Sequence, residues 1–440
     1  MIIIKNFIDD NFTESQIKIF KNLYSLTFGQ LLKFFFNLFI SVYIARYLGL
    51  DLLGKFSYIV AVTGILGSFS ALGLQSIVVR ELVKTPKKSS VILGTSLTLS
   101  FIASFFSYGL LVLIILFSNP NDKMLLILAF INGFTFLFET LRILSFYYES
   151  KVNSTVVVRY NNISLIISSI LKVIVVYFDL GIYLLTSIYV FEIAFTGLLL
   201  FKSFSKNVYS LFKFSFDYST AKNLLRDSLP LLLSGFMIGI FMKIDQIMIN
   251  NMLGSSELGQ YSIAAKLTEL FYFIPVIIQS TLFPGIESAK NDKKLFRKRL
   301  NNLYSMSIII AYIVILFMTF SSDYIIDFLY GPEFSGAKAP LLISIWAFLF
   351  VSYGISRNAF IISNNLTLSY MIIMAISAII NISVNLILIP KYGIIGASFA
   401  TVLSQIFAGV ISSLFYRPLR QELVNSIKLF VIPKINFKVF

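Results

Sequence analysis

LGLDLLGKFS, at Leu48–Ser57, returns as LGSSELGQYS at Leu253–Ser262, with Leu-Gly, a second glycine, an aromatic residue and a serine at matching positions. Each copy lies where one long apolar run ends and the next begins. A repeat spaced by about half the chain predicts two related halves. Duplicated bundles of membrane helices are a common plan for transporters.

The composition predicts a membrane protein. The chain has 440 residues, of which 57% are hydrophobic and 13% charged, and its mean hydropathy is +0.86. Soluble domains have about a quarter charged residues, so we expect the bilayer to solvate most of this chain. It contains no cysteine and no histidine, which removes thiolates, disulfides, the usual general base and the commonest metal ligand. We therefore predict no enzyme activity, no cofactor and no metal site.

Apolar runs of about 20 residues predict about twelve transmembrane helices. Turn signals separate several of them, including Asn119–Asp122, Asp179–Gly181, Gly331-Pro332 and Pro390–Gly393. The first run is too long for a signal peptide and is interpreted as an uncleaved span. The predicted spans lie near 24–46, 56–79, 91–118, 124–148, 156–178, 181–201, 228–252, 258–284, 304–329, 338–361, 367–389 and 393–416.

The basic residues predict the orientation. With both termini in the cytoplasm, the cytoplasmic segments hold 26 of the 36 lysines and arginines, Arg357 among them, and the opposite loops hold five. This asymmetry fits the positive-inside rule. It accounts for most of the net charge of +15, so a nucleic-acid partner is not required. The longest polar segment follows the sixth span.

These observations predict an all-α integral membrane fold of two parallel six-helix lobes. The N-terminal lobe is predicted at 1–203, a cytoplasmic linker at 204–227, the C-terminal lobe at 228–416 and a basic cytoplasmic tail at 417–440.

Ionisable side chains inside spans are costly and are functional candidates by default. Lys33, Lys172 and Lys243 are candidates for a cationic cavity, since an anionic headgroup that loses its hydration needs compensating charge. Alternatively, Lys33 and Lys172 pair with Glu192 or another acid. Arg142 and Lys266 are further cationic candidates.

Two charged pairs have a spacing that favours contact on one helix face. Glu139 and Arg142 are three residues apart, and so are Lys266 and Glu269. We interpret both as internal ion pairs that lower the cost of insertion.

Asp245 is a candidate for ion coupling, as are Glu192 and Glu269. A lone carboxylate within a span can bind sodium or carry a proton. The alternative is an ion pair with Lys33 or Lys266 from another helix. Lys243, two residues from Asp245, projects to a different side of the same helix.

Several motifs in order resemble the polysaccharide-unit (O-antigen or capsule repeat) flippases of the multidrug/oligosaccharidyl-lipid/polysaccharide exporter superfamily. They span nearly the whole chain: Ala45–Gly49, Gly54–Ser57, Leu72–Leu74, Val79–Glu81, Asp245–Ile249, Leu253-Gly254, Gly259–Leu267, Leu329–Gly331 and Ile389–Ala397.

The resemblance implies a MATE-like fold, in which the two six-helix lobes surround a central, cation-lined cavity. It implies that this fold moves undecaprenyl-diphosphate-linked oligosaccharides to the periplasmic leaflet of the bacterial inner membrane by alternating access. It implies that an ion gradient or the membrane potential drives transport, and that a glycan polymerase and a chain-length regulator are candidate partners. Arg46, Arg80, Glu81 and Asp245 match charged positions of the family. We therefore add Arg46 and Arg80 to the substrate-binding candidates.

Three alternatives remain. A cation-coupled multidrug exporter of the same superfamily would favour acidic cavity residues. A flippase for peptidoglycan precursors usually has extra helices. A membrane glycan polymerase should have a large periplasmic loop, whereas the outer loops predicted here are short.

Overall fold

The structure is a computed structural model that describes residues 14–207 and 214–435. Within these ranges the chain forms helices and turns and no strand, which confirms the predicted all-α class. The parts of the predicted N-terminal lobe, linker and tail at 1–13, 208–213 and 436–440 lie outside the described residues. The α-helices are α1 Glu14–Ala71, α2 Leu74–Lys84, α3 Ser89–Ser118, α4 Lys123–Glu139, α5 Ile143–Ser150, α6 Ser154–Tyr177, α7 Gly181–Asn207, α8 Tyr218–Leu253, α9 Ser255–Glu269, α10 Phe273–Ser288, α11 Lys293–Ile325, α12 Lys338–Ser344, α13 Ala347–Ser363, α14 Thr367–Gly409 and α15 Arg417–Ser426.

Nine helical segments of the described chain are long and apolar enough to cross a membrane, and a pair of helices bent by 47° makes a tenth. A spanning helix satisfies its backbone hydrogen bonds internally, as a lipid environment requires. The multi-span prediction is confirmed, but the count of twelve is not. Two segments, Leu32–Lys84 and Thr367–Phe415, contain 53 and 49 residues, more than twice the ~20 that one crossing needs. Gly49 and Gly393 interrupt them with non-helical backbone angles. If each of these two segments crosses the membrane twice, the count rises from ten to twelve, and this count stays a prediction.

The predicted turn chemistry is present at the helix ends. The Asp122 carboxylate accepts a hydrogen bond of 3.1 Å from the Leu125 N–H and so caps α4. Asp179, Gly181 and Gly331 have φ values of 51°, 85° and 98°, which stop the preceding helices. These breaks are confirmed.

The chain divides into two compact units. Unit 1 comprises the described residues up to Tyr47 together with Val62–Phe236, and unit 2 comprises Leu48–Ala61 together with the described residues from Met237 onward. These bounds differ from the predicted lobe bounds, because the turn at Leu48–Ala61 clusters with unit 2 and the first part of α8 clusters with unit 1. The core of unit 1 joins α2, α3, α5, α7 and α8, and a core of unit 2 joins α8, α13, α14 and α15.

Both copies of the repeated phrase lie in unit 2 and pack against each other reciprocally. A Cβ at Gly54 would overlap the carbonyl oxygen of Ser255, and a Cβ at Gly259 would overlap that of Leu50. Leu50 and Ser255 occupy the same place in the two copies, as do Gly54 and Gly259. The two contacts are therefore equivalent under exchange of the repeats, and glycine is needed because backbone occupies the space of a side chain.

The segment after Arg417, predicted as a basic tail, contains a packed helix. In α15 the buried residues are Leu419, Glu422, Leu423 and Ser426. Their spacing places them on one face of the helix.

Candidate functional site

Unit 1 contains a cavity of about 730 Å³. Residues from α1, α2, α4, α5, α6 and α7 line it. Its lining is unusually polar for the interior of a membrane-spanning unit. The polar and charged side chains are Gln30, Lys33, Gln75, Glu139, Arg142, Ser145, Glu149, Ser154, Asn161, Asn162, Glu192 and Thr196.

Lys33 is the cavity's unpaired cation among the described residues. It lies on α1 and is exposed to the space that the cavity encloses. Among the side chains that the structure describes in unit 1, no carboxylate forms an ion pair with its ammonium group. One turn earlier, Gly29 approaches Val158 of α6 closely, which brings α1 to the cavity wall.

Lys172 is paired rather than free, and Glu192 faces the cavity. The Lys172 Nζ lies 2.7 Å from the Glu192 carboxylate and 3.8 Å from the centre of the Tyr189 ring. The Ser168 hydroxyl donates to the same carboxylate oxygen at 2.6 Å. Lys172 itself is only 5% exposed. The interpretation of Lys172 and Glu192 as an ion pair is confirmed, and this pair joins α6 to α7.

Two further polar groups line the cavity. The Arg142 guanidinium donates to Glu139 at 2.5 Å, which confirms the pair predicted from their spacing. Glu149 accepts hydrogen bonds from Gln75 at 3.0 Å and from Ser145 at 3.3 Å. The lining thus carries the charges of Lys33 and Arg142 and of three glutamates, so its sign is mixed rather than cationic.

In unit 2 Glu269 pairs with Lys243. The Lys243 Nζ lies 2.9 Å from both carboxylate oxygens of Glu269 and links α8 to α9. The three-residue spacing on α9 predicts Lys266 as the partner of Glu269. The bond to Lys243 instead crosses between two helices, so no local spacing indicates it.

Asp245 lies beside this pair and is bonded to neutral groups. Its carboxylate accepts hydrogen bonds from the Tyr261 hydroxyl, from the Gln246 N–H at 2.7 Å and from the Thr401 hydroxyl at 3.4 Å. Asp245 is 6% exposed. Hydroxyl groups of α9 and α14 are thus the side-chain donors to this carboxylate, and the alternative of an ion pair with Lys33 or Lys266 stays a prediction.

Arg80 and Arg46 lie outside the cavity lining. The Arg80 guanidinium bonds to Asp227 at 2.6 Å and to Glu81 at 3.0 Å and lines a separate pocket of unit 1. Arg46 is exposed near the end of the first apolar run, three residues before Gly49. Of the seven predicted cations, Lys33 and Arg142 line the cavity.

Unit 2 contains a buried polar cluster that was not predicted from the sequence. Arg357, which the sequence places on the cytoplasmic side, lies in α13, is 1% exposed and donates to the carbonyl oxygens of Ala408 and Gly409. Glu422 of α15 is fully buried and pairs with Arg297 at 2.6 Å. The helical spacing of Leu419, Glu422 and Leu423 places Glu422 on the buried face of α15. This spacing was the sequence feature from which a partner for Glu422 could have been expected. Backbone acceptors leave no such signal for Arg357.

Among the described residues, no three acidic side chains lie close enough together to hold a metal ion.

Known proteins share this sequence pattern and this fold. The model of the family described as "Polysaccharide biosynthesis protein" matches residues 43–339. A capsular polysaccharide biosynthesis protein, CapF of Staphylococcus aureus, is 22% identical over an alignment of 377 residues that covers 83% of this chain and 90% of that protein.

Two solved structures show the fold. The lipid II flippase MurJ in an inward closed conformation gives a TM-score of 0.72 at 18% identity and covers 94% of this chain and 91% of its own. An inward-facing multidrug resistance MATE family transporter of the MOP superfamily gives 0.66 at 14% identity, covering 91% and 96%. The prediction of a MATE-like helical fold is confirmed.

Proposed function

The chain belongs to the polysaccharide biosynthesis protein family, and from this membership we propose that it is a flippase for lipid-linked oligosaccharides. Its substrate would be an undecaprenyl-diphosphate-linked repeat unit, moved from the cytoplasmic to the periplasmic leaflet of the bacterial inner membrane. Both termini would lie in the cytoplasm. A glycan polymerase and a chain-length regulator would use the product.

The observation that carries this proposal is the polar cavity of unit 1 with its unpaired Lys33. Sugar hydroxyls need hydrogen-bond donors and acceptors once they leave water, and the amides and carboxylates of the lining supply both. A phosphate that loses its hydration needs a cation. Lys33 can supply that charge without first breaking an ion pair, whereas Arg142 would have to leave Glu139.

Substitution of Lys33 tests the proposal. We expect Lys33→Ala to reduce surface polysaccharide by about 10- to 100-fold in a strain lacking the chromosomal copy, since one lost charge-assisted bond is worth about 1.5–3 kcal/mol. Lipid-linked oligosaccharide should accumulate in the cytoplasmic leaflet. Lys391→Ala, which removes an exposed lysine of unit 2, is the matched control. Normal surface polysaccharide at normal membrane abundance of the Lys33 variant would contradict the role.

Alternating access would require the two repeated turns to separate. In the predicted topology both lie on the periplasmic side, and the reciprocal contacts of Gly54 and Gly259 support closure there. Because the chain has no native cysteine, Ser255→Cys introduces the protein's single thiol. We expect Gly54→Ala to increase its labelling by a membrane-impermeant maleimide. Gly67→Ala, where a Cβ meets no atom within 4 Å, should leave labelling unchanged.

For energy coupling we propose Asp245. It is nearly buried, and its hydrogen-bond donors are the neutral groups of Tyr261, Gln246 and Thr401. A cation or a proton would neutralise the carboxylate. We expect Asp245→Asn to abolish the dependence of flipping on an ion gradient in proteoliposomes, while substrate still binds. Unchanged dependence would exclude Asp245.

The three glutamates of the cavity favour a second candidate, a cation-coupled multidrug exporter. Carboxylates attract organic cations, and Lys33 would repel them. Under this alternative, Lys33→Ala would increase ethidium efflux from loaded proteoliposomes. Under the flippase proposal it leaves ethidium efflux at background and lowers flipping.

A further inference from the structure

A second pocket of unit 1, of about 430 Å³, lies where α2 ends and α8 begins. None of its lining residues lines the 730 Å³ cavity. Ile77, Ile92 and Leu224 are buried and form its apolar base. Its position follows from the connection between α2 and α3, which is a short turn, Pro86–Lys88.

The charges of this pocket are unbalanced. Four cations and two carboxylates line it: Arg80, Lys84, Lys88, Arg226, Glu81 and Asp227. Both carboxylates already bond to the Arg80 guanidinium, and Asp227 also lies 3.5 Å from Arg226. The carboxylates thus orient Arg80 and do not neutralise the two lysines.

The ammonium groups of Lys84 and Lys88 form no ion pair or hydrogen bond with the side chains that the structure describes in unit 1. Asp217, just before α8, accepts bonds from the hydroxyl and N–H groups of Thr220 at 2.6 and 2.7 Å. These bonds, and to a smaller extent the charge of Lys88, lower the pKa of the Asp217 carboxyl, but Lys88 forms no ion pair with it. The pocket therefore presents two ammonium groups to an anion.

The same elements carry exposed apolar side chains. Val83 of α2 is 59% exposed, and Leu225 and Leu229 of α8 are 38% and 53% exposed. Basic pockets between spanning helices on the cytoplasmic side are typical sites for anionic lipid headgroups. Here, cations adjoin apolar surface that acyl chains can cover, which a soluble anion would not use.

We propose that this pocket binds the phosphate of an anionic phospholipid of the cytoplasmic leaflet. Lys84 and Lys88 hold the phosphate oxygens, Arg80 fixes the pocket wall, and the acyl chains lie along Val83 and the exposed leucines of α8. The site is independent of the transported substrate, and its test does not depend on flipping.

The test measures binding of short-chain phosphatidylglycerol to the full-length protein in detergent by native mass spectrometry. Each lysine near an anionic headgroup is worth about fivefold in affinity, so the double variant Lys84→Ala/Lys88→Ala should bind about 20- to 30-fold more weakly. The matched control, Lys293→Ala/Lys294→Ala, removes two exposed lysines from the start of α11 and should change affinity by less than about threefold.

Two further arms decide the source of the phosphate. Inorganic pyrophosphate should bind at least about tenfold more weakly than the lipid, because it lacks the contribution of the apolar surface. Binding as tight as that of the lipid would overturn the assignment to a phospholipid. An equal loss in both double variants would overturn the pocket, since only bulk charge would then matter. Since both lysines are exposed, a matching thermal stability of the variants will show that the fold is retained.

Discussion

Unit 1 and unit 2 each contain a lysine–glutamate ion pair between consecutive helices, but the surroundings of the two pairs differ. The side chains of Lys172 and Glu192 in unit 1 are 6% and 25% exposed, and those of Lys243 and Glu269 in unit 2 are 26% and 31% exposed. A buried charge that loses its partner stays uncompensated, whereas a partly exposed one can be solvated.

The same pair of residue types therefore has two roles in this chain. Lys172 is enclosed by Glu192, Ser168 and the Tyr189 ring, so it fixes α6 against α7 and cannot reach a ligand. Lys243 and Glu269 are both accessible, and Asp245 lies two residues from the lysine. The pair of unit 2 is therefore the one that can exchange partners.

The largest expected effect is on stability in unit 1. Lys172→Met keeps most of the side-chain length but leaves the Glu192 carboxylate without its cation. We expect the free energy of unfolding to fall by about 3 kcal/mol, near the lower limit for a broken buried pair because Glu192 reaches the cavity. Denaturant unfolding of the purified protein in detergent measures the change.

A second variant checks the cause. Lys172→Met combined with Glu192→Leu removes both charges, so most of the lost stability should return. If the double variant is as unstable as the single one, packing around Lys172 and not the ion pair accounts for the loss.

The next largest loss of stability is expected from the hydrogen bonds around the nearly buried Asp245. Tyr261→Phe removes the main hydroxyl donor to a nearly buried carboxylate and should cost about 1–3 kcal/mol of unfolding free energy. Thr401→Val is the matched control and should cost less, because its hydroxyl lies 3.4 Å from the carboxylate. Equal losses in the two variants would mean that the Tyr261 bond is not the stronger one.

These features were predictable from sequence to different extents. The repeated turn was recognisable because φ values of 65° at Gly49 and 98° at Gly254 favour glycine. The Glu139–Arg142 pair was predictable because residues three apart on a helix are neighbours.

Contacts between distant helices were not predictable in this way. The Lys243–Glu269 bond joins residues 26 positions apart, and its partner choice depends on how α8 and α9 pack. Arg357 donates to carbonyl oxygens, which every residue has. The pocket around Lys84 and Lys88 required the start of α8 to lie beside the end of α2, a proximity that no local pattern encodes.

A smaller effect should follow in the accessible pair of unit 2. We expect Lys243→Met to lower the free energy of unfolding by about 1 kcal/mol, because both partners are partly exposed. The flipping rate in proteoliposomes should fall by more than the fraction of folded protein does. A loss of unfolding free energy as large as that of Lys172→Met would contradict this difference, since both pairs would then stabilise the fold equally.

The smallest effect on stability should come from the Glu139–Arg142 pair of the cavity wall. The Arg142 side chain is 59% exposed and that of Glu139 33%, so Arg142→Gln should change the free energy of unfolding by only about 0.3–0.5 kcal/mol. Glu139→Gln should give a similar change, and the double variant should add little, because both substitutions remove one interaction. A loss above about 2 kcal/mol would place this pair with Lys172–Glu192. Because stability is expected to change little, a fall in the flipping rate of Arg142→Gln would report on contacts between the cavity lining and the substrate. Denaturant unfolding measures the stability, and flipping in proteoliposomes measures the transport rate.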